Sequence, residues 1–178
     1  NRDFRKDPPD ATEFEDCEFQ SCSFNQADLS GFHFTECDFN NCDVSGATLD
    51  NAALRSVRFR NCKLLGLHFE KCNPFLFSAE FRDSRLNLSS FYSWDLRECN
   101  FYDSQLHEVD FGGADLRGIS LVGCDLSGAI FEETNLEKAD LRSAIHYIID
   151  PTGNRVKGMK LDREGLAGLV LQWGLEIE

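Results

Sequence analysis

Eight cysteines give this chain its greatest capacity for chemistry, because thiols form disulfides and bind soft metals. Each lies two positions before a place in a regular repeat where a large apolar residue is expected, a position otherwise often held by Ala or Ser. A free cysteine packs as a small hydrophobic side chain. We therefore expect core thiols in a reducing cytoplasm, with no metal and no cofactor. The eight are Cys17, Cys22, Cys37, Cys42, Cys62, Cys72, Cys99 and Cys124.

The other reactive residue types do not form a catalytic pattern. Neighbouring acids such as Glu132 and Glu133 would face solvent on a convex surface, with no pocket to shift their pKa values. The sequence has no GxSxG, HExxH or CxxC motif and no phosphate-binding glycine loop. Three histidines fall at outward positions of the repeat and the fourth at its end: His33, His68, His107 and His146. We therefore predict that the protein is not an enzyme.

The element that must position all these residues is a five-residue repeat. A large apolar residue, most often Phe or Leu, recurs from Phe14 to Phe69 and again from Phe81 to Leu141. A period of five matches neither an α-helix nor a single β-strand. Four pentads can close a square coil of about twenty residues with the large side chains inside, and coils can stack as parallel strands ~4.8 Å apart. The repeat thus predicts an all-β solenoid.

The pentads resemble a known family. The segments "ADLRG", "CDLSG", "TNLEK", "ADLRS", "CDFNN" and "CSFNQ" resemble the A(D/N)LXX motif of pentapeptide repeat proteins. This resemblance covers roughly residues 10–146. It implies a right-handed quadrilateral parallel β-helix, and the length of the repeat predicts about seven coils.

Interruptions of the repeat predict the organisation of the chain. We expect an N-terminal cap over 1–13, the β-helix over 14–146 and a C-terminal capping or dimerisation module over 147–178. Between Phe69 and Phe81 the spacing exceeds two pentads by two residues, which predicts a bulge or short loop at 70–80. In the C-terminal module, an apolar stripe ending at Gly174 predicts an α-helix, and the final "LEIE" predicts a short strand. This module is expected to form a dimer interface anchored by Trp173, or alternatively to serve only as a cap.

The net charge of −13 limits the possible partners. Nucleic acid is excluded, since phosphate recognition depends on Lys and Arg. A membrane partner is not expected either, because no apolar stretch approaches the ~20 residues of a membrane span. Folding the sequence by twenties places six acids on one face against Lys71, which predicts a site for a basic partner or, alternatively, a well-solvated face. These acids are Asp28, Asp50, Glu70, Asp110, Glu132 and Glu133.

A narrower resemblance suggests a partner. "FRNCKLLGLHFEKC", the disrupted coil, "SSF" and the "IDP…N…K" tail resemble the Qnr-type branch of bacterial quinolone-resistance and topoisomerase-poison immunity proteins. That resemblance implies a homodimer and a DNA mimic that binds DNA gyrase or topoisomerase IV and relieves the poison. It assigns dimerisation to Leu166, Leu169, Val170, Trp173 and Ile177. The chain lacks the extended loops of plasmid-borne members, so it is closer to loop-poor relatives. The alternative is a cytoplasmic interaction scaffold with another protein partner.

Overall fold

The computed structural model describes residues 2–7 and 9–174, which form a parallel β-solenoid. Residues one coil apart pair in parallel along four sides, and the predicted fold class is confirmed. The longest column of single bridges shows the stacking of the coils. It passes through Asp3, Ser23, Asp43, Lys63, Arg85, Gln105, Asp125 and Ile145.

Two of the four sides contain regular strands. On one side, β1 (Glu13–Glu15), β3 (His33–Thr35) and β5 (Ala53–Arg55) form a three-stranded parallel sheet. A five-stranded parallel sheet on the next side contains β2 (Glu18–Gln20), β4 (Asp38–Asn40), β6 (Val57–Arg60), β7 (Ala79–Arg82) and β8 (Cys99–Tyr102). Elsewhere the coils are joined by single bridges. Each short strand therefore gains its stability from neighbouring coils.

The core is a stack of the large residues of the repeat. Phe19 lies on Phe39 with ring centroids 4.6 Å apart, and Phe81 lies on Phe101 at 5.0 Å. Rings from adjacent sides meet edge to face, as Phe91 and Phe101 do at 5.6 Å. Both arrangements are favourable for aromatic quadrupoles. The buried core extends continuously through the described coils, from Phe4 near one end to Ile149 near the other.

The small residues of the repeat have a second role besides filling space. The Cys42 thiol donates to the carbonyl of Phe19 at 3.2 Å, and the backbone N–H of Cys42 donates to the sulfur of Cys62 at 3.4 Å. Ser84 continues this column, since its hydroxyl donates to the carbonyl of Arg82 at 2.8 Å and accepts from the N–H of Cys62 at 3.0 Å. These side chains therefore supply acceptors for backbone donors inside the solenoid.

All eight cysteines are free thiols. Six are buried, whereas Cys17 and Cys22 are only half-buried. Both lie in the first coils, where fewer coils cover the core. The prediction that every thiol lies in the core therefore holds for the six from Cys37 onward.

The two extra residues of the middle interval are taken up before Ala79. Asp38 pairs with Arg58, twenty residues on, whereas Val57 pairs with Ala79, twenty-two residues on. A 3-10 helix, Phe69–Lys71, opens this segment, and the loop that follows ends where β7 begins. The chain buries Phe77 but leaves Phe75 exposed.

The C-terminal part departs from the predicted α-helix. The structure has two 3-10 helices, Glu164–Leu169 and Leu171–Trp173, and Gly174 follows with a φ of 69°. Gly165 and Gly168 pack so closely on Tyr147 that a β-carbon at either position would collide with it. Glycine is also unfavourable in the interior of an α-helix. The α-helix predicted from the apolar stripe is therefore wrong, and 3-10 helices form in its place. The predicted strand "LEIE" lies outside the described residues.

Coil pairing extends beyond residue 146. Asn135 pairs with Arg155, and Asp140 pairs with Lys160. The 3-10 helices then lie against this last partial coil, where the N–H of Ile149 donates to the carbonyl of Gly168 at 2.9 Å.

The hydrogen-bonded column of small residues generates the first prediction. Ser84→Ala should lower the free energy of unfolding by about 1 to 3 kcal/mol, because the N–H of Cys62 would lose its acceptor in a buried site. Ser84→Cys should lose less, since the Cys42 and Cys62 thiols already make equivalent contacts. Urea unfolding of both variants tests this, with exposed Ser127→Ala as the control. An equal loss for the Ala and Cys variants would contradict the proposed role of the acceptor.

Candidate partner-binding surface

One side of the solenoid carries all six acids that the sequence placed together. Its inward residues are Leu29, Leu49, Phe69, Phe91, Phe111 and Phe131. Bridges join Asp28 to Thr48, and His68 through Ser90 and Asp110 to Ile130. We call the outward surface of this side, with its corner residue Glu133, the acidic face. The six acids therefore share one side, as predicted, and their role in binding stays a prediction.

The acids of the acidic face are almost free of cationic partners. Among the described residues, only Glu70 of these six takes part in an ion pair, with His68 Nδ1 at 2.9 Å. Asp28 and Asp110 instead accept hydrogen bonds from backbone N–H groups two residues on, at 3.0 and 2.8 Å. Hydrogen bonds from Ser30 lower the pKa of Asp28 from its ordinary value, so its carboxylate is ionised at neutral pH. The negative charge of this face is therefore not neutralised by its neighbours.

Three aspartates on two other sides are paired with arginines of their own segments. Asp95 pairs with Arg97 at 2.6 Å, and Asp140 pairs with Arg142 at 2.7 Å. An Asp-x-Arg spacing on an extended segment puts both side chains outward on the same surface. Asp115 and Arg117 repeat this arrangement at 2.6 Å. These three aspartates are therefore paired within their own segments, unlike the aspartates of the acidic face, and the Asp-x-Arg spacing could have shown this difference from the sequence.

An exposed aromatic residue divides the acidic face into two groups of acids. Tyr92 has 57% of its surface exposed and lies between the coil of Glu70 and the coil of Asp110. Ile130, in the same column as Asp110, is 44% exposed. Sequence reasoning missed both residues, although each occupies an outward position of the repeat where polar residues predominate.

The predicted dimerisation residues lie at the C-terminal end with different degrees of exposure. Leu166 and Trp173 are both 53% exposed, whereas Leu169 is partly buried against the core. Val170 is half-buried, and Ile177 lies outside the described residues. Three further apolar side chains at this end are also exposed: Ile145, Ile148 and Leu171. The end of the solenoid thus presents an apolar surface.

The loop before Ala79 presents a second exposed apolar group. Phe75 and Leu76 are 64% and 63% exposed. The guanidinium of Arg55 lies 5.3 Å from the centre of the Phe75 ring, a distance suited to a cation–π contact. This contact fixes the loop against the coil below it.

Neither a metal site nor a membrane-spanning helix is found in the described part of the chain. In residues 2–7 and 9–174, no three His, Cys, Asp or Glu side chains are grouped so that they could hold a metal ion. Within the same residues, no helix is both long enough and apolar enough to cross a membrane.

A four-sided parallel β-solenoid with outward charged columns defines a repeat protein whose surface is built from short, stacked segments. The chain belongs to the pentapeptide repeat family, since the profile of a pentapeptide repeat region matches residues 12–75 and 67–141. A comparison with curated proteins finds no match.

Among solved structures, two trypsin-treated variants of QnrB1, a plasmid-mediated fluoroquinolone resistance protein, share this fold. One variant has a TM-score of 0.68 and 23% identity, covering 93% of this chain and 91% of that one. The other has a TM-score of 0.68 and 24% identity, covering 93% of this chain and 90% of that one. At these identities the similarity establishes the common architecture.

The ion pairs on β4 and β6 generate a prediction about pH. Asp38 accepts two hydrogen bonds of 2.6 Å from Arg58, and Arg60 lies 3.1 Å away. The Arg58 hydrogen bond lowers the pKa of Asp38 from its usual value of 3.8. A carboxyl group with a depressed folded-state pKa stabilises the fold fully above its unfolded-state pKa, about 3.9, and loses that contribution as the pH falls through the folded value.

Asp38→Asn should therefore cost up to about 1 kcal/mol at pH 7, since the pair is partly exposed, and less at pH 2. Urea unfolding of the wild type and variant at both pH values measures this difference. Asp50→Asn is the control, because Asp50 has no ion pair among the described residues. A cost for Asp38→Asn that is equal at both pH values would contradict the assigned pairing.

Proposed function

We propose that this protein acts by binding a basic protein surface through its acidic face and that it has no catalytic role. The observation that carries this proposal is the absence of neutralising partners for five of the six acids, within the part of the chain that the structure describes. A partner with Lys and Arg side chains would supply the missing positive charge and would be attracted over a distance. Eight free thiols support a further proposal, that the protein works in the reducing cytoplasm.

The partner that we propose is a type II topoisomerase, DNA gyrase or topoisomerase IV. From Leu29 to Phe131 there are five coil-to-coil steps, which at ~4.8 Å each make about 24 Å. Six acids over that length, with Lys71 as the one base among them, give one carboxylate per about 4 Å, close to the 3.4 Å spacing of phosphates along one DNA strand. A surface that binds DNA could therefore accept the acidic face in its place. The Qnr-type resemblance and the fold shared with QnrB1 support this choice of partner.

We also propose that the protein is a homodimer joined through its C-terminal end. The exposed apolar residues there, including Leu166 and Trp173, support this arrangement. Burying such side chains stabilises an interface by about 25 cal/mol per Å² of apolar surface removed from water. The acidic faces of two copies would then extend away from a common centre.

The topoisomerase proposal predicts an effect that depends on one face. Equimolar wild-type protein should change gyrase supercoiling or ciprofloxacin-dependent cleavage complexes. Neutralising three acids of the acidic face, by Asp110→Asn, Glu132→Gln and Glu133→Gln, should weaken binding about tenfold, since exposed charges contribute about 0.2 to 1 kcal/mol each. Supercoiling gels and a gyrase-binding titration provide the measurements.

The matched control changes the net charge by the same amount at corner positions of other sides, through Asp16→Asn, Glu36→Gln and Asp83→Asn. It should retain the wild-type effect. The topoisomerase assignment is rejected if the wild type alters neither supercoiling nor cleavage. If both triple variants lose binding equally, total charge and not the acidic face is responsible. A different basic partner recovered by pull-down and weakened by salt would favour the scaffold alternative.

The dimer proposal makes a separate prediction. Trp173→Asp should convert the dimer to a monomer without altering the circular dichroism spectrum of the β-solenoid, because the side chain is exposed in the single chain. Light scattering measures the mass. Leu88→Asp is the matched control, since Leu88 is 63% exposed but lies far along the chain from the C-terminal end. A Trp173→Asp protein that still has dimeric mass would exclude this interface.

A further inference from the structure

The Tyr92 ring on the acidic face packs against residue 112 of the next coil, which is a glycine and leaves room for the ring. A β-carbon at Gly112 would lie 3.3 Å from Tyr92 Cδ2 and 3.4 Å from Tyr92 Cε2. The ring therefore packs against the bare backbone of the next coil, and Gly112 is buried beneath it. The N–H of Tyr92 also donates to the Ser90 hydroxyl at 3.2 Å. The ring is thus supported from below while more than half of the residue stays exposed.

Acidic residues lie on the two coils that follow this ring. The same β-carbon position at Gly112 lies 3.0 Å from Asp110 Oδ1. The edge of the Tyr92 ring and the Asp110 carboxylate are therefore both next to Gly112. Asp110 is itself fixed, since its Oδ1 accepts from the N–H of Gly112 at 2.8 Å. Glu132 lies one coil further along, where the carbonyl of Glu132 accepts from the N–H of Gly113 at 2.7 Å. The ring therefore has the Asp110 carboxylate beside it on the next coil, and Glu132 lies two coils along on the same face.

Glu70 lies on the preceding coil of the same face. Phe69 and Phe91 stack with ring centroids 4.5 Å apart, which places the next residue of each segment, Glu70 and Tyr92, in one column. One carboxylate oxygen of Glu70 pairs with His68. The other, Oε2, is buried without a hydrogen-bond partner among the described residues. Glu70 therefore contributes negative charge to this part of the acidic face, and its exposed oxygen is the one paired with His68.

We propose that Tyr92, with Asp110, Glu132 and Glu70, forms a receptor for the guanidinium group of an arginine side chain on a basic protein partner. An aromatic face attracts a cation within about 6 Å of its centre, and adjacent carboxylates accept its N–H donors. Arginine fits better than lysine because its planar group stacks on a ring and donates to carboxylates in the same plane. This inference deepens the proposed function by naming the group that is recognised, and it rests on the partner being basic.

A peptide titration tests the receptor without a topoisomerase. Hexa-arginine added to ¹⁵N-labelled full-length protein should shift the amide signals of Gly112 and Ser93 in a saturable way. Tyr92→Ala should raise the apparent Kd about fivefold, within the range of an exposed cation–π contact. Tyr92→Phe keeps the ring and should bind like the wild type. Gly112→Ala should also weaken binding, since its methyl group displaces the ring. Hexa-lysine should bind more weakly than hexa-arginine.

Tyr102→Ala is the control, because Tyr102 contacts Arg82 on a different side of the solenoid. It should leave the Kd unchanged, and dispersed amide spectra establish that each variant is folded. The receptor proposal is rejected if the wild type and Tyr92→Ala have equal Kd values. It is also rejected if the amide shifts occur at acidic residues generally and not at Gly112. A positive titration with a negative supercoiling assay retains the receptor and rejects the topoisomerase. The converse result retains the topoisomerase and rejects the receptor.

Discussion

The backbone hydrogen bonds that join each coil to the next are the interaction on which the rest of the structure depends. The backbone N–H of Val44 donates to the carbonyl of Lys63 at 2.7 Å, and the N–H of Leu96 donates to the carbonyl of Asp115 at 2.9 Å. These bonds run along the solenoid axis, so each fixes the register between coils. Once the register is fixed, large side chains must stack inside and polar side chains must form columns outside. The stacked core and the acidic face are therefore two consequences of one constraint.

The same constraint explains how the chain tolerates its irregular segment. Two extra residues would move later outward positions out of their columns if they were distributed along the coil. Instead the loop restores the coil-to-coil bonds at once, since Ser78 donates to the carbonyl of Leu54 and Val57 donates to that of Ser78. The insertion is thus confined to one side, where it exposes Phe75 and Leu76. Every column beyond it keeps its alignment.

The repeat could be predicted from the sequence because its signal is repeated many times, whereas features that occur once could not. The pattern placed Asp28 and Glu133 on the same side although 105 positions separate them. It failed for the C-terminal helix. There the need for glycine at 165 and 168 comes from close contact with Tyr147, which the periodicity does not reveal. It also missed Tyr92, since only the structure shows that Gly112 leaves room for its ring. Tertiary contacts between single residues have no periodic signature.

The distribution of arginine gives the acidic face its significance. On two other sides, three aspartates form ion pairs with the arginine two positions later: Asp95–Arg97, Asp115–Arg117 and Asp140–Arg142. On the acidic face the corresponding positions after Asp28 and Asp110 are Ser30 and Gly112. Acids on successive coils lie within one Debye length, about 8 Å at physiological salt, so their repulsion is only partly screened. One arginine two positions after an aspartate is enough to relieve such repulsion, as the three Asp-x-Arg pairs of other sides show. The acidic face lacks that relief, and this difference is the physical basis of the proposal that a basic partner binds there.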